Sequence, residues 1–147
     1  MSDSQSVEVA LTYPSPFGYA TFLRAPSKTF VIYMDKFGGQ AIDRALKGIS
    51  NERPLTHELL CFIVDGLDCK VRDVLIYKED NGTFFAKLTL AMKNELGEKV
   101  IEIDCRPSDA LTLAIRNRAP MRVLNSVLEK LDDLSEVLEE IKRSKKF

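Results

Sequence analysis

Period-two alternation opens the chain. Val7, Val9, Leu11 and Tyr13 alternate with Glu8, Ala10 and Thr12, the pattern of a half-buried strand. Pro14, Pro16 and Gly18 supply the turn chemistry that ends it. Tyr19 to Arg24 forms a second strand, and Pro26-Ser27 leads into a third at Thr29 to Met34. The period then lengthens. Ile42, Ala45, Leu46 and Ile49 recur at helical spacing after Gly38-Gly39, with Gly48 near the end. Leu55, Leu59, Phe62 and Ile63 form a second apolar stripe between Pro54 and Gly66. Alternation returns at Val71 to Lys78, Asn81-Gly82 predicts a tight hairpin, and Phe84, Ala86, Leu88, Leu90 and Met92 share one face of the return strand. Glu95-Leu96-Gly97 turns the chain into a strand at Lys99 to Cys105. A helix marked by Ala110, Leu111, Ala114 and Ile115 follows and ends before Pro120. A short strand at Met121 to Val123 precedes an amphipathic helix over about 132–143, with Leu134, Val137, Leu138 and Ile141 on one side.

The two halves match when one is shifted by 69 positions. Val31-Ile32-Tyr33-Met34-Asp35 then lies over Val100-Ile101-Glu102-Ile103-Asp104, Ala41-Ile42 over Ala110-Leu111, and Ala45-Leu46-Lys47 over Ala114-Ile115-Arg116. This predicts an internal duplication: two pseudo-repeated units of about three strands followed by helices, sharing one core. The fold class expected is α+β, mostly antiparallel sheet, in one domain over 1–147 with a C-terminal amphipathic helix.

Composition narrows the function classes. Lys plus Arg is 21 and Asp plus Glu is 22, a net charge of −1, which excludes the broad positive field of a sequence-independent nucleic-acid binder but not a local basic groove. The longest apolar run, Leu59 to Val64, is far short of the roughly 20 residues of a membrane span. Met1 to Gln5 carries no secretory signal, so a cytoplasmic protein without a membrane partner is expected. Cys61, Cys69 and Cys105 show no C-x-x-C spacing, which argues against a disulfide framework or a zinc ribbon.

Chemistry concentrates in Asp104-Cys105-Arg106-Pro107-Ser108-Asp109. With Ile101 and Ile103 on the core face, Glu102 and Asp104 point the other way, and Asp109 falls in the first turn of the next helix beside Thr112 and Arg116. Two carboxylates and a guanidinium are thus expected to converge at a helix N-terminus. Asp104 and Asp109 offer a divalent cation hard oxygen ligands, and Arg106 offers a phosphate its charge. The same residues also suit a purely structural helix start, with Asp109 favouring the helix dipole and pairing with Arg106. His57, the only histidine, stands near a helix start with Glu58 beside it, off the apolar stripe. It suits proton transfer, and equally a hydrogen bond that locks the helix to its neighbour. Thr56 reads as that helix's cap, and Cys105 sits beside Arg106 as a candidate activated thiol. Arg106, Arg116, Arg118 and Arg122 make the window around this turn locally basic. Walker, G-x-G-x-x-G, G-x-S-x-G and H-E-x-x-H patterns are absent from the sequence.

Four motifs in order carry a family resemblance. R-P-L-T-H-E-L at Arg53 to Leu59, N-G-T-F-F-A at Asn81 to Ala86, D-C-R-P-S-D-A-L at Asp104 to Leu111, and Ala119-Pro120 resemble the bifunctional nuclease domain family over about residues 29–128. The resemblance implies phosphodiester hydrolysis of DNA and/or RNA, aided by a divalent cation, Mg²⁺ or Mn²⁺. On the matching positions, chemistry assigns Asp104 and Asp109 to the metal and Arg53, Arg106 and Arg116 to phosphate. His57 and Glu58 then move protons, with Arg106 stabilising developing charge. One stretch departs from the family pattern I-W-I-G-x-x-E-A: Asp35 stands where the usual Gly would be and Gly38 where the usual Glu would be. The alternative is a non-catalytic binding or regulatory module whose motifs are structural corners. A homo-oligomer, most simply a dimer, is also expected, with the family motifs and the last helix's stripe forming the interface. The enzyme reading requires His57, Asp104, Arg106 and Asp109 to line one accessible cleft.

Overall fold

The computed structural model describes residues 3–145 and shows an α+β architecture built on two sheets. β1 (Ser4–Ser6) is followed by an antiparallel meander of β2 (Glu8–Ser15), β3 (Gly18–Arg24) and β4 (Thr29–Met34), which forms a three-stranded sheet of its own. Pro14 lies inside β2 rather than ending it. β2 is an edge strand, where a missing N–H breaks no ladder bond. The helices α1 (Lys36–Leu46) and α2 (Thr56–Gly66) come next. Gly38 and Gly39 are part of the first helix and not its prelude, because Asp35 caps it from outside: its Oδ1 accepts the Gly38 N–H at 2.6 Å.

A second meander follows, of β5 (Cys69–Asp80), β6 (Thr83–Asn94) and β7 (Gly97–Cys105), then α3 (Pro107–Asn117) and β8 (Met121–Leu124). Asn81 and Gly82 take φ of 49° and 86° and close the β5–β6 hairpin with Asp80 opposite Thr83, as their sequence predicts. The five-stranded order is β1-β8-β5-β6-β7, with only β5 and β8 parallel. Three-stranded meander then helix thus occurs twice in the topology. Two short elements, β1 and α4 (Asn125–Leu128), escaped the periodicity because they are too brief to show one.

Ile42, Val74, Ile76, Leu111 and Val123 are fully buried between the sheets and helices, and Phe30 of one sheet stacks on Phe84 of the other at 5.8 Å. Ile101 and Ile103 are not buried as expected. They face the same side as Leu88 and Leu90, but β7 is the sheet edge and α3 packs over β5 and β6, so cover runs out before reaching them. The last helix, α5 (Ser135–Lys145), seats Leu138 against Ala20 and Phe22 of the small sheet, flanked by Leu134 and Ile141. Three of its four stripe residues are therefore spent within the chain, and Val137 alone of them stays 43% exposed, which leaves little of the stripe for a subunit interface. Among the described residues no helix is long and apolar enough to cross a membrane.

Candidate functional site

Three helix starts meet at one corner. Asp35 caps α1, Arg106 is the N-cap residue of α3 with Pro107 next, and His57 and Asp109 occupy the first turns of α2 and α3. The approach is close because Gly38 has no side chain: a Cβ there would lie 2.8 Å from Ser108 Cβ and 3.0 Å from its Oγ. Where the family pattern has Glu, this chain therefore uses glycine to let α1 reach α3.

The four polar side chains form one chain of bonds. His57 Nε2 donates to Asp109 Oδ1 at 2.8 Å. Arg106 donates through Nε to Asp109 Oδ2 at 2.9 Å and through Nη2 to Oδ1 at 3.3 Å, while Nη1 reaches Asp35 Oδ2 at 3.3 Å. Burial by itself would raise the Asp109 pKa, but the hydrogen bonds from Arg106 and His57 outweigh it and hold the carboxyl below the ordinary aspartate range. The same carboxylate raises the Arg106 pKa further. His57 and Asp109 side chains are 19% and 28% exposed, that of Arg106 65%. His57 Nδ1 makes no hydrogen bond among the described residues. Beside the network, Tyr33, Asp35, Thr83, Phe84, Arg106 and Ser108 line an open cleft of about 240 Å³. Of the four residues the enzyme reading requires at one cleft Arg106 is there, and His57, Asp104 and Asp109 are not part of its lining.

Asp104 does not join them. Strand alternation sends it to the sheet face opposite Cys105, where it accepts the Tyr77 hydroxyl at 2.6 Å and sits opposite Lys87 in register. That bond raises the Tyr77 pKa. The convergence of Asp104 with Asp109 expected from the sequence is thus absent, because one residue lies before the turn on a strand and the other after it on a helix. Both oxygens of Asp109 already accept N–H groups, and among the described residues no three His, Cys, Asp or Glu side chains could share an ion. The donor set does not fit a preformed divalent-cation site.

Glu58 turns the other way from His57, toward Asn51, whose Nδ2 donates to it at 3.0 Å, and toward the Leu55 N–H at 3.2 Å. Those two bonds lower its pKa, the Asn51 bond foremost. Glu58 therefore completes the start of α2, with Leu55 at the N-cap and Thr56 already inside the helix. Arg116 adds its charge to the surroundings of Glu58, Arg44 bonds Asn51, and the Nε atoms of both arginines are buried without a partner among the described residues. Arg53 is exposed in the loop before α2 and bonds nothing among them. Cys105 is not activated: burial first, then Asp109 and Asp104, push its thiol up to about 11. Asn51, Arg44 and Tyr77 were missed from the sequence. Only Asp35, an Asp three residues before a glycine at a helix start, carried a local capping signal.

The bifunctional nuclease domain model matches residues 22–134, which include every member of this network. The chain belongs to the bifunctional nuclease domain family. An uncharacterized protein of Mycobacterium tuberculosis is 30% identical over 97 residues, 66% of this chain and 55% of that one. Bifunctional nuclease 1 of Arabidopsis thaliana is 30% identical over 79 residues, and bifunctional nuclease 2 over 81; each match covers 54% of this chain and 24% of the relative. The chain thus spans about half the length of the mycobacterial relative and a quarter of the plant ones.

Proposed function

We propose that this chain is a nuclease-like phosphodiester hydrolase acting on DNA and/or RNA, with His57 moving the proton. Family membership and the plant relatives' names supply the reaction class. The observation that carries the mechanism is the open end of the bond chain: Asp35 holds Arg106, Arg106 holds Asp109, Asp109 holds His57 Nε2, and His57 Nδ1 is left over. Asp109 fixes the tautomer in which Nδ1 carries the lone pair, and it stabilises the imidazolium once Nδ1 has taken a proton from the water that attacks phosphorus. The P–O ester bond to the leaving oxygen breaks, and the imidazolium returns the proton to that oxygen. The exposed Arg106 guanidinium lines the cleft, and a phosphate there replaces Asp35, the weaker of its two partners. His57 lies outside that lining, so this reading has the substrate reach from the cleft past Arg106 to Nδ1. Because the donors do not fit a divalent cation, no step is routed through Mg²⁺ or Mn²⁺.

A second reading has its own observation. Asp109 is saturated by its neighbours, as a carboxylate that only ties three helices together would be, which favours a non-catalytic binding module. One assay separates the two: cleavage of single- and double-stranded DNA and RNA with Mg²⁺, with Mn²⁺ and with EDTA. The hydrolase reading expects cleavage that survives EDTA and falls roughly 10²–10⁴-fold in His57→Ala, the range for loss of a general base. Folded wild type without cleavage under all conditions, or His57→Ala equal to wild type, overturns it in favour of the binding module.

A further inference from the structure

The helix that carries His57 buries almost nothing on its own chain. None of the residues of α2 is fully buried, and its inward contacts are Cys61 and Val64 against the core, the His57–Asp109 bond and the Asn117–Cys61 contact. An 11-residue helix is marginal in water and depends on packing of its apolar face. Yet Leu55, Leu59, Leu60, Phe62, Ile63 and Leu67 point outward, each between 37% and 60% exposed. The spacing of Leu55, Leu59, Phe62 and Ile63 makes this one continuous stripe. The polar anchor at His57, with Cys61 and Val64 on the inward side, turns this stripe to solvent.

We infer that a second copy of this chain covers this face. At roughly 150–200 Å² per side chain, since only Phe62 is aromatic, the six residues present about 450–600 Å², in the upper part of what a monomer leaves open. Two such faces together bury about 900–1,200 Å², around the roughly 1,000 Å² that a specific interface needs. Composition agrees: Asp65 is the one exposed charged residue within α2, and charge depletion with an aromatic at the centre marks a subunit contact and not an anionic ligand. The sheet edge β7 does not serve instead. In antiparallel self-pairing Glu98, Glu102 and Asp104 share one face, and a two-fold centred on any residue from Val100 to Ile103 sets two acids of that face directly opposite each other. The expected dimer contact thus moves from the last helix to α2, and it braces the element that positions His57.

Sedimentation equilibrium of the full 147-residue chain at micromolar concentrations tests this. The expected mass is two chains. Leu59→Asp and Phe62→Asp, both at exposed positions, should retain the circular dichroism of the wild type and weaken association on the order of a hundredfold or more, giving one chain. Amide exchange in α2 of the unmodified protein should also slow as concentration rises. A wild-type mass of one chain, a two-chain mass unchanged in both variants, concentration-independent exchange in α2, or a monomer that co-floats with neutral lipid vesicles overturns the inference.

Discussion

Replacing Asp109 by Ala removes the centre of the polar chain, and its cost can be worked contact by contact. The hydrogen bond to His57 joins two side chains that are each less than a third exposed, so it contributes about 1–2 kcal/mol. The Arg106 pair is bidentate but its guanidinium is 65% exposed, so screening leaves under about 1 kcal/mol. Loss of an acid from the first turn of α3 adds a few tenths, on the order of 0.5 kcal/mol. The sum, about 2–3 kcal/mol, lowers the melting temperature by roughly 5–10 °C in a domain of this size. Urea unfolding of wild type, His57→Ala, Asp109→Ala and the double variant should return a coupling of about 1 kcal/mol or more between the two sites. The pH dependence has a definite sign. The folded pKa of Asp109 is depressed, so its stabilisation is complete above the ordinary aspartate value of about 4 and is lost as pH falls through the folded value. The gap between wild type and Asp109→Asn should therefore close as the pH drops below about 4. Additive single variants, or a gap that widens in acid, would refute the bond chain as drawn.

Gly39→Ala places a Cβ 2.1 Å from Tyr19 Cγ and 2.3 Å from Tyr19 Cβ. Overpacking should outweigh the helical gain of about 1 kcal/mol and lower stability by about 1–2 kcal/mol in urea titrations. Gly66→Ala, at a position with nothing within 4 Å, should instead be neutral or stabilising by up to about 1 kcal/mol. Leu138→Ala should cost about 2–5 kcal/mol without altering the sedimentation mass, since Leu138 is 1% exposed against Ala20 and Phe22 of its own chain.

What the chain's own pattern determined was everything carried by local periodicity. Strand alternation and the Asn81-Gly82 turn fixed the β5–β6 hairpin, because both depend only on neighbouring residues' backbone preferences. The four ordered motifs were enough for family membership. Pairing of His57 with Asp109 was legible only as two residues at two helix starts. That they touch follows from how α2 lies along α3, across 52 positions of sequence.

Tertiary structure decided which faces are inside. An apolar stripe says that a helix has a face to cover, not what covers it. The stripe of α5 lies on the small sheet, while that of α2 points outward because His57, Cys61 and Val64 take the inward side. Ile101 and Ile103 alternate correctly yet stay partly exposed, since cover at a sheet edge depends on where the helices end, a property no strand encodes. Asp104 and Asp109 are five residues apart and part company for the same reason: a strand-to-helix turn redirects side chains, and only the assembled corner shows that Asp109 meets His57 and Arg106 while Asp104 meets Tyr77.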